Sequence, residues 1–343
     1  MKAIVYSETG DPSVLQLVDR PVLEPGPDEV RVRIVVSGVN PTDWKSRRGA
    51  ASGQALPFDE VVPGQDGAGI VEAVGDDVQH VSVGDRVWLA LAAYQRPNSG
   101  SSQEQPVLPA ERVFALPASA SFDQGASMGV PAITAYRALT VAEGGPDQLH
   151  PTALTGRIVL VAGGAGAVGH ATIQLARWAG ATVITTVSGP QKAALATAAG
   201  AHHVFNYTDA DIVDQIRAIA PDGVDQIVEV SPAQNADLDL AVIRNRGSIS
   251  VYANNGGDQV TLDVRRHFAL NVRYQFVLLY TVGIDAIRAA GAAINVALED
   301  GALGIGDETG LPLHRFDLAH TADAHALVES GAVGKVLIDV TAA

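Results

Sequence analysis

The chain of 343 residues contains no cysteine. That excludes disulfide bridges, thiolate metal ligands and a thiol nucleophile together. Basic residues are also scarce: 23 Lys and Arg stand against 38 Asp and Glu, a formal net charge of −15. A field of that sign repels a phosphate backbone, so nucleic acid is not an expected main partner. No apolar run approaches the ~20 residues of a membrane span, and no long basic amphipathic segment is present. The N-terminus, MKAIVYSETG, opens on a strand pattern instead of a signal peptide, and the expectation is a cytoplasmic protein.

What is present is enough apolar material, 47% of residues, to build cores in two domains of ~100–200 residues each. The first third reads as β-rich. Ala3 to Tyr6, Val30 to Val36, Gly69 to Val74 and Arg86 to Leu91 are short strand candidates between Pro, Gly and Asp clusters, with Val30, Val32, Ile34 and Val36 on one face. From about Gly125 the pattern alternates. Strands are expected at Ile158 to Val161, Thr182 to Val187, His203 to Phe205, Asp225 to Val230 and Ser248 to Tyr252, with helical stretches between. Such alternation implies a doubly wound parallel sheet. A helix over Ile284 to Leu298 and a strand over Gly334 to Val340 close the chain, returning to the first domain. The polar stretch Arg96 to Gln105 reads as the most flexible loop.

The most telling segment is RIVLVAGGAGAVGHATIQLARWAG, Arg157 to Gly180. Gly164, Gly166 and Gly169 satisfy G-x-G-x-x-G after an apolar run. In that pattern the first glycine permits a tight turn, the second admits a pyrophosphate to the backbone, and the third lets helix pack on strand. Val168, Ala171, Thr172, Leu175 and Ala179 follow at helical spacing, with Gly180 at the C-cap. A dinucleotide on the helix N-terminus is the reading. NAD would call for an acidic residue about 20 positions on, yet neither Asp nor Glu occurs between Gly169 and Asp209. Ser188, Gly189 and Lys192 follow the second strand instead, a set that suits a 2′-phosphate and favours NADPH. Lys192 as a solvated helix residue and Ser188 as an ordinary N-cap also satisfy the sequence.

Several motifs in fixed order carry a resemblance: Gly38-Val-Asn-Pro-Thr-Asp, Pro63-Gly-Gln-Asp-Gly-Ala-Gly-Ile-Val, Gly84-Asp-Arg-Val, Pro131-Ala-Ile-Thr-Ala-Tyr-Arg-Ala-Leu and the glycine-rich turn. The chain resembles the medium-chain dehydrogenase/reductases, and among them the zinc-independent, zeta-crystallin-like NADPH:quinone oxidoreductases. The resemblance implies an α/β protein. A GroES-like, β-rich catalytic domain is expected over residues 1–124 and 266–343, and an NADPH-binding Rossmann domain over 125–265. Zinc-dependent relatives carry metal ligands where this chain has Asn40 and Gln65-Asp66, so no metal is expected. His150, His170, His202 and His203 lie in contexts that favour satisfied or surface side chains. Without a Lewis acid to polarise an alcohol, reduction of an already electrophilic acceptor is the chemistry expected.

Carried over position by position, the resemblance implies cofactor contacts from Gly164, Gly166, Ala167, Val168 and Gly169 at the pyrophosphate, and from Ser188, Lys192 and Tyr207 at the adenosine phosphate. It also implies Asn235 on the adenosine side, Asn40 and Thr134 beside the nicotinamide, and Ala253, Asn254, Val277 and Leu279 near its amide. Ala253 departs from a usual glycine, which bears on whether its φ is positive. Lys45, where relatives usually carry Tyr, is the catalytic candidate for a developing oxyanion and a cofactor contact as well, with Asp43 orienting it or Arg47; a solvated lysine is the competing reading. Trp44, Phe58, Tyr94 and Leu279 line the substrate pocket or fill the core. Substrates would be quinones, with enones, alkenals or enoyl thioesters as the alternative, and a non-catalytic NADPH-binding sensor or structural protein as a third reading. RNA binding is disfavoured by charge, although Lys45, Arg47 and Arg48 form a local basic patch. A homodimer is implied through an apolar edge strand within Arg265 to Tyr280.

Overall fold

A computed structural model describes residues 1–50 and 53–342. The chain divides into two compact units. Met1–Val130 with Pro312–Ala343 form unit 1, and Pro131–Leu311 form unit 2.

Unit 1 contains β1 (Lys2–Val5), β2 (Gln16–Asp19), β3 (Glu29–Val39), α1 (Pro41–Arg48), β4 (Asp66–Val74), β5 (Arg86–Leu89), β6 (Val107–Pro109), β7 (Val113–Ala115) and the first half of α2 (Phe122–Thr140). In β3, Val30, Val32 and Ile34 are fully buried in one core cluster with Val71, Val87, Leu89 and Leu108, as the alternation requires. Register shifts around Val32 and Val36 in its pairing with β4 then interrupt the period. The Arg96 to Gln105 stretch is not a loose loop. Ser99, Ser101, Ser102 and Gln103 are buried, Ser101 Oγ donates to the Asp66 carbonyl at 2.5 Å, and Gln103 Nε2 donates to the Asn98 and Gly100 carbonyls. Short polar side chains that satisfy backbone groups are stable inside, and composition alone reads them as solvent-facing.

Unit 2 contributes β8 (Ile158–Ala162), α3 (Ala167–Trp178), β9 (Thr182–Val187), α4 (Pro190–Ala198), β10 (His203–Asn206), α5 (Ile212–Ile219), β11 (Val224–Glu229), α6 (Pro232–Val242), β12 (Ile243–Val251), α7 (Val264–Ala269), β13 (Arg273–Phe276) and α8 (Ile284–Glu299). The six strands form one sheet in the order β10-β9-β8-β11-β12-β13, and each pairing is parallel. Strand order therefore reverses between β8 and β11. In such sheets the crevice beyond the carboxyl ends of those strands is where a ligand binds.

The chain then re-enters unit 1 as β14 (Leu313–Asp317), α9 (Thr321–Glu329) and β15 (Lys335–Asp339), and β15 pairs antiparallel with β3. The return thus falls at residue 312, later than the 266 expected. The reason is β13: it hydrogen-bonds to β12 and so keeps α7, β13 and α8 in unit 2. The other boundary, expected after residue 124, falls inside α2, a single helix running through residue 130.

Candidate functional site

The turn after β8 uses its glycines differently from the motif's simplest reading. Positive φ, +72°, belongs to Gly163, one residue before the expected position. Gly164 is needed for packing: a Cβ there would lie 2.2 Å from Thr185 Oγ1 and 2.8 Å from Ile173 Cδ1. Gly169 is needed for close approach, since its Cβ would meet the Gly163 carbonyl at 2.3 Å. Gly166 differs. It is the N-cap of α3, and a Cβ there meets only the Gly163 oxygen, at 3.5 Å. No side chain among the described residues caps α3 at Gly166, so the first N–H groups of the helix, from Ala167, Val168 and Gly169, are left as donors at the positive end of the dipole. An open cradle with such donors fits a pyrophosphate.

At the carboxyl end of β9 the chain supplies Ser188 and Lys192, and Lys192 Nζ donates to Ser188 Oγ at 3.0 Å. Tyr207 is drawn to the same place because its N–H donates to the Val187 carbonyl at 3.1 Å; its ring is half exposed. Ser188 is not an N-cap, since α4 starts from Gly189. Ser188 and Lys192, four residues apart, are thus joined at this strand end by Tyr207 from beyond β10.

Beyond β12, Ala253 and Asn254 line a cavity of about 720 Å³ together with Arg137, Val251, Gln275 and Val277. Val277 N–H donates to the Val251 carbonyl at 2.7 Å. Ala253 is not among the residues with positive φ, so the glycine usual there is not required here. Leu279 is buried, one turn further on, and Thr134 is buried in α2.

Asn235 is tied to an acid of its own unit. Its Nδ2 donates to both carboxylate oxygens of Glu229, at 3.0 and 3.2 Å, which turns the amide inward. Glu229 itself escaped the sequence reading. It ends β11, is fully buried, and also accepts from the Ser231 N–H. Burial pushes its carboxyl up, and that of neighbouring Asp239 well up, since two carboxylates in contact cannot both ionise in a dry interior. An acid closing an otherwise apolar strand, as in IVEV, was the available signal.

In unit 1, Asn40 anchors a buried polar cluster. Its Nδ2 donates to Asp66 Oδ2 at 2.8 Å, and its Oδ1 accepts from Lys335 Nζ at 2.9 Å. Lys335, 2% exposed, also reaches Asp66, 0% exposed, at 3.2 Å. Burial raises the Asp66 carboxyl, while the Lys335 ammonium opposes that rise. Asp43 does not orient Lys45 or Arg47. Its carboxylate accepts from the Asn40 N–H at 2.8 Å, capping α1, and Arg47 pairs with Glu329 of α9. Lys45 is exposed, its ammonium 5.9 Å from the Trp44 ring centroid. Phe58 is exposed, and Tyr94 lies under the Arg112 guanidinium, 5.9 Å away. His170 Nε2 is 2.8 Å from the Thr309 carbonyl, and burial lowers this ring to about 4. His202 Nδ1 accepts from the Val183 N–H, and His150 Nδ1 lies 2.7 Å from the Pro151 carbonyl.

Two family models match, one described as an alcohol dehydrogenase GroES-like domain over residues 26–118 and one as a zinc-binding dehydrogenase over residues 167–295. The quinone oxidoreductase of Rattus norvegicus is 33% identical, with 98% of this chain and 97% of the relative covered. The chain belongs to the medium-chain dehydrogenase/reductase family. As such it is an oxidoreductase with a GroES-like unit and a Rossmann-like parallel-sheet unit. Among solved structures, this family member is similar to an NAD-dependent alcohol dehydrogenase at 28% identity and a TM-score of 0.85, covering 99% of this chain and 100% of that one. It is also similar to the Escherichia coli quinone oxidoreductase complexed with NADPH, at 25% identity, a TM-score of 0.78 and the same coverage. No helix among the described residues is long and apolar enough to cross a membrane.

Proposed function

We propose that the protein is an NADPH-dependent quinone oxidoreductase that works without zinc. The observation that carries the cofactor choice is the carboxyl end of β9, where a lysine, a serine and a tyrosine gather and no carboxylate is present to bind a ribose 2′-hydroxyl. Lys192 and Ser188 would hold the 2′-phosphate, Tyr207 would flank the adenosine, and the donors of Ala167, Val168 and Gly169 would hold the pyrophosphate. The backbone of Ala253, Asn254 and Val277 would orient the nicotinamide amide, with Asn40 and Thr134 as proposed polar neighbours, and the cavity lined by Ala253, Asn254 and Val277 would receive the acceptor. The bound nucleotide supplies a hydride. Hydride addition to a quinone leaves an oxyanion that takes its proton from water. Lys45, whose exposed ammonium has no carboxylate partner among the described residues, is the side chain proposed to stabilise that charge.

Lys335 supports the metal-free reading. Its ammonium occupies the neighbourhood of Asn40 and Asp66, and a resident cation opposes a second one there. The rat and Escherichia coli relatives support quinones as acceptors. A homodimer through β13, at the edge of its sheet, is proposed as the working assembly.

The test is a titration of NADPH and NADH by fluorescence, followed by turnover with 1,4-benzoquinone, 9,10-phenanthrenequinone and 2-alkenals. NADPH should bind at least about 10-fold tighter than NADH, Lys192→Glu should abolish that preference, and quinones should be reduced. Turnover confined to alkenals would replace the quinone reading by the enone one, and NADPH binding without any turnover would replace it by a sensor.

A further inference from the structure

Among the residues lining the 720 Å³ cavity of unit 2, Arg137 is the one base and Asp258 the one acid. The two are not paired. Asp258 accepts from Asn254 Nδ2, within its own loop. The guanidinium of Arg137, half-buried on α2, makes no hydrogen bond or ion pair among the described residues. Several arginines of the same unit are tied down, Arg244 to Asp225 at 2.8 Å, Arg246 and Arg273 to Glu143 at 3.2 and 3.3 Å and Arg217 to the Ala241 carbonyl, while Arg265 and Arg266, which have no such partner among the described residues, are exposed to water and line no part of the cavity. With acids outnumbering bases 38 to 23, partners are plentiful, so an unpaired guanidinium on a cavity wall stands out. Withdrawing a charge from water without a partner costs free energy, which a ligand anion would recover.

The rest of the wall says what else the ligand carries. Val251, Phe276, Val277, Leu278 and Val282 give it an apolar part, alongside the polar side chains of Asn254, Gln259, Gln275 and Thr281. Arg137 lies three residues after Thr134 on α2, and so on the same helix face. We infer that the acceptor is amphipathic, an apolar ring or chain bearing a carboxylate or sulfonate, and that Arg137 is the residue that selects it. A planar guanidinium matches such oxyanions with two parallel donors. The inference rests on the reading above that this cavity receives the acceptor, and it adds the acceptor's charge.

Calorimetric titration with naphthalene-2-sulfonate and its neutral counterpart naphthalene-2-sulfonamide tests this on the full chain, with and without NADP+. The wild-type protein should bind the sulfonate roughly 10- to 100-fold tighter than the sulfonamide, the range of a charge-assisted hydrogen bond. Arg137→Leu should erase that difference while leaving sulfonamide affinity unchanged, and Arg137→Lys should restore part of it. Equal affinity for the two compounds in the wild type, failure to bind either, or an equal loss of both in Arg137→Leu overturns the inference. Should Arg137→Leu fail to fold, as judged by its melting curve, Arg137→Gln takes its place. Turnover is read separately: sulfonate preference without quinone reduction removes the quinone reading and keeps the anion site.

Discussion

Gly164 and Gly166 stand two residues apart in one turn and are glycines for different reasons. A methyl at Gly164 would collide with Thr185 and Ile173 inside the unit, whereas a methyl at Gly166 meets no protein atom closer than 3.5 Å. Gly164→Ala should therefore lose about 1–3 kcal/mol of stability, the usual cost of overpacking. Gly166→Ala, at a φ of −81° that alanine adopts freely, should melt within about 0.5 kcal/mol of the wild type yet bind NADPH at least about 10-fold more weakly. Melting curves beside NADPH titrations separate the two, and unimpaired NADPH binding by Gly166→Ala would remove the pyrophosphate from this turn. At this scale the sequence was legible where a residue's chemistry follows from its local pattern. It was less so where a partner outside the local pattern decides: the Asn235 amide donates to Glu229, and Lys335, far from Asn40 in the chain, was invisible as its neighbour.

Helix α1 depends on a buried acid. Asp43 caps its own helix through the Asn40 N–H, and burial, reinforced by the charge of Asp66, pushes its carboxyl up to about 7 from 3.8. The native state therefore keeps a proton that the unfolded chain gives up near 4. Stability from this group is complete below about 4 and is lost as pH rises through about 7, with a slope of up to ~1.4 kcal/mol per pH unit. His170 and His325, lowered to about 4 and about 3 by burial, act in the opposite sense, so the isolated effect needs a difference. Urea unfolding at pH 5 and pH 8 should show the wild type losing stability relative to Asp43→Asn, whose neutral amide still accepts from Asn40 N–H. A parallel response of the two proteins would show that Asp43 does not titrate in this window. Among elements, β8 and β9 were legible within a residue because buried parallel strands read as short runs of apolar and β-branched residues. β13 was harder to place: three of its four residues are exposed, and only pairing with β12 assigns it to unit 2.

On the scale of the whole molecule, exposed apolar side chains are unevenly spread. Leu262, Val264, Phe268, Phe276 and Leu278 fall within one short stretch around α7 and β13, with Val264 71% and Phe268 67% exposed. An edge strand with free backbone groups beside such a surface invites a second copy, and a two-fold arrangement would cover both surfaces at once. A chain carrying −15 charges repels its own copies at long range, so contact has to be made where carboxylates are few, and residues 264–278 contain none. Phe268→Glu places one on each side of a symmetric contact. Light scattering during size-exclusion chromatography should find the wild type as a dimer and this variant as a monomer, its dissociation constant raised at least roughly 30-fold. Because Phe268 lies outside the 720 Å³ cavity, NADPH affinity per chain should be unchanged. A variant that stays dimeric would move the interface away from β13, and a monomeric wild type would remove the dimer altogether.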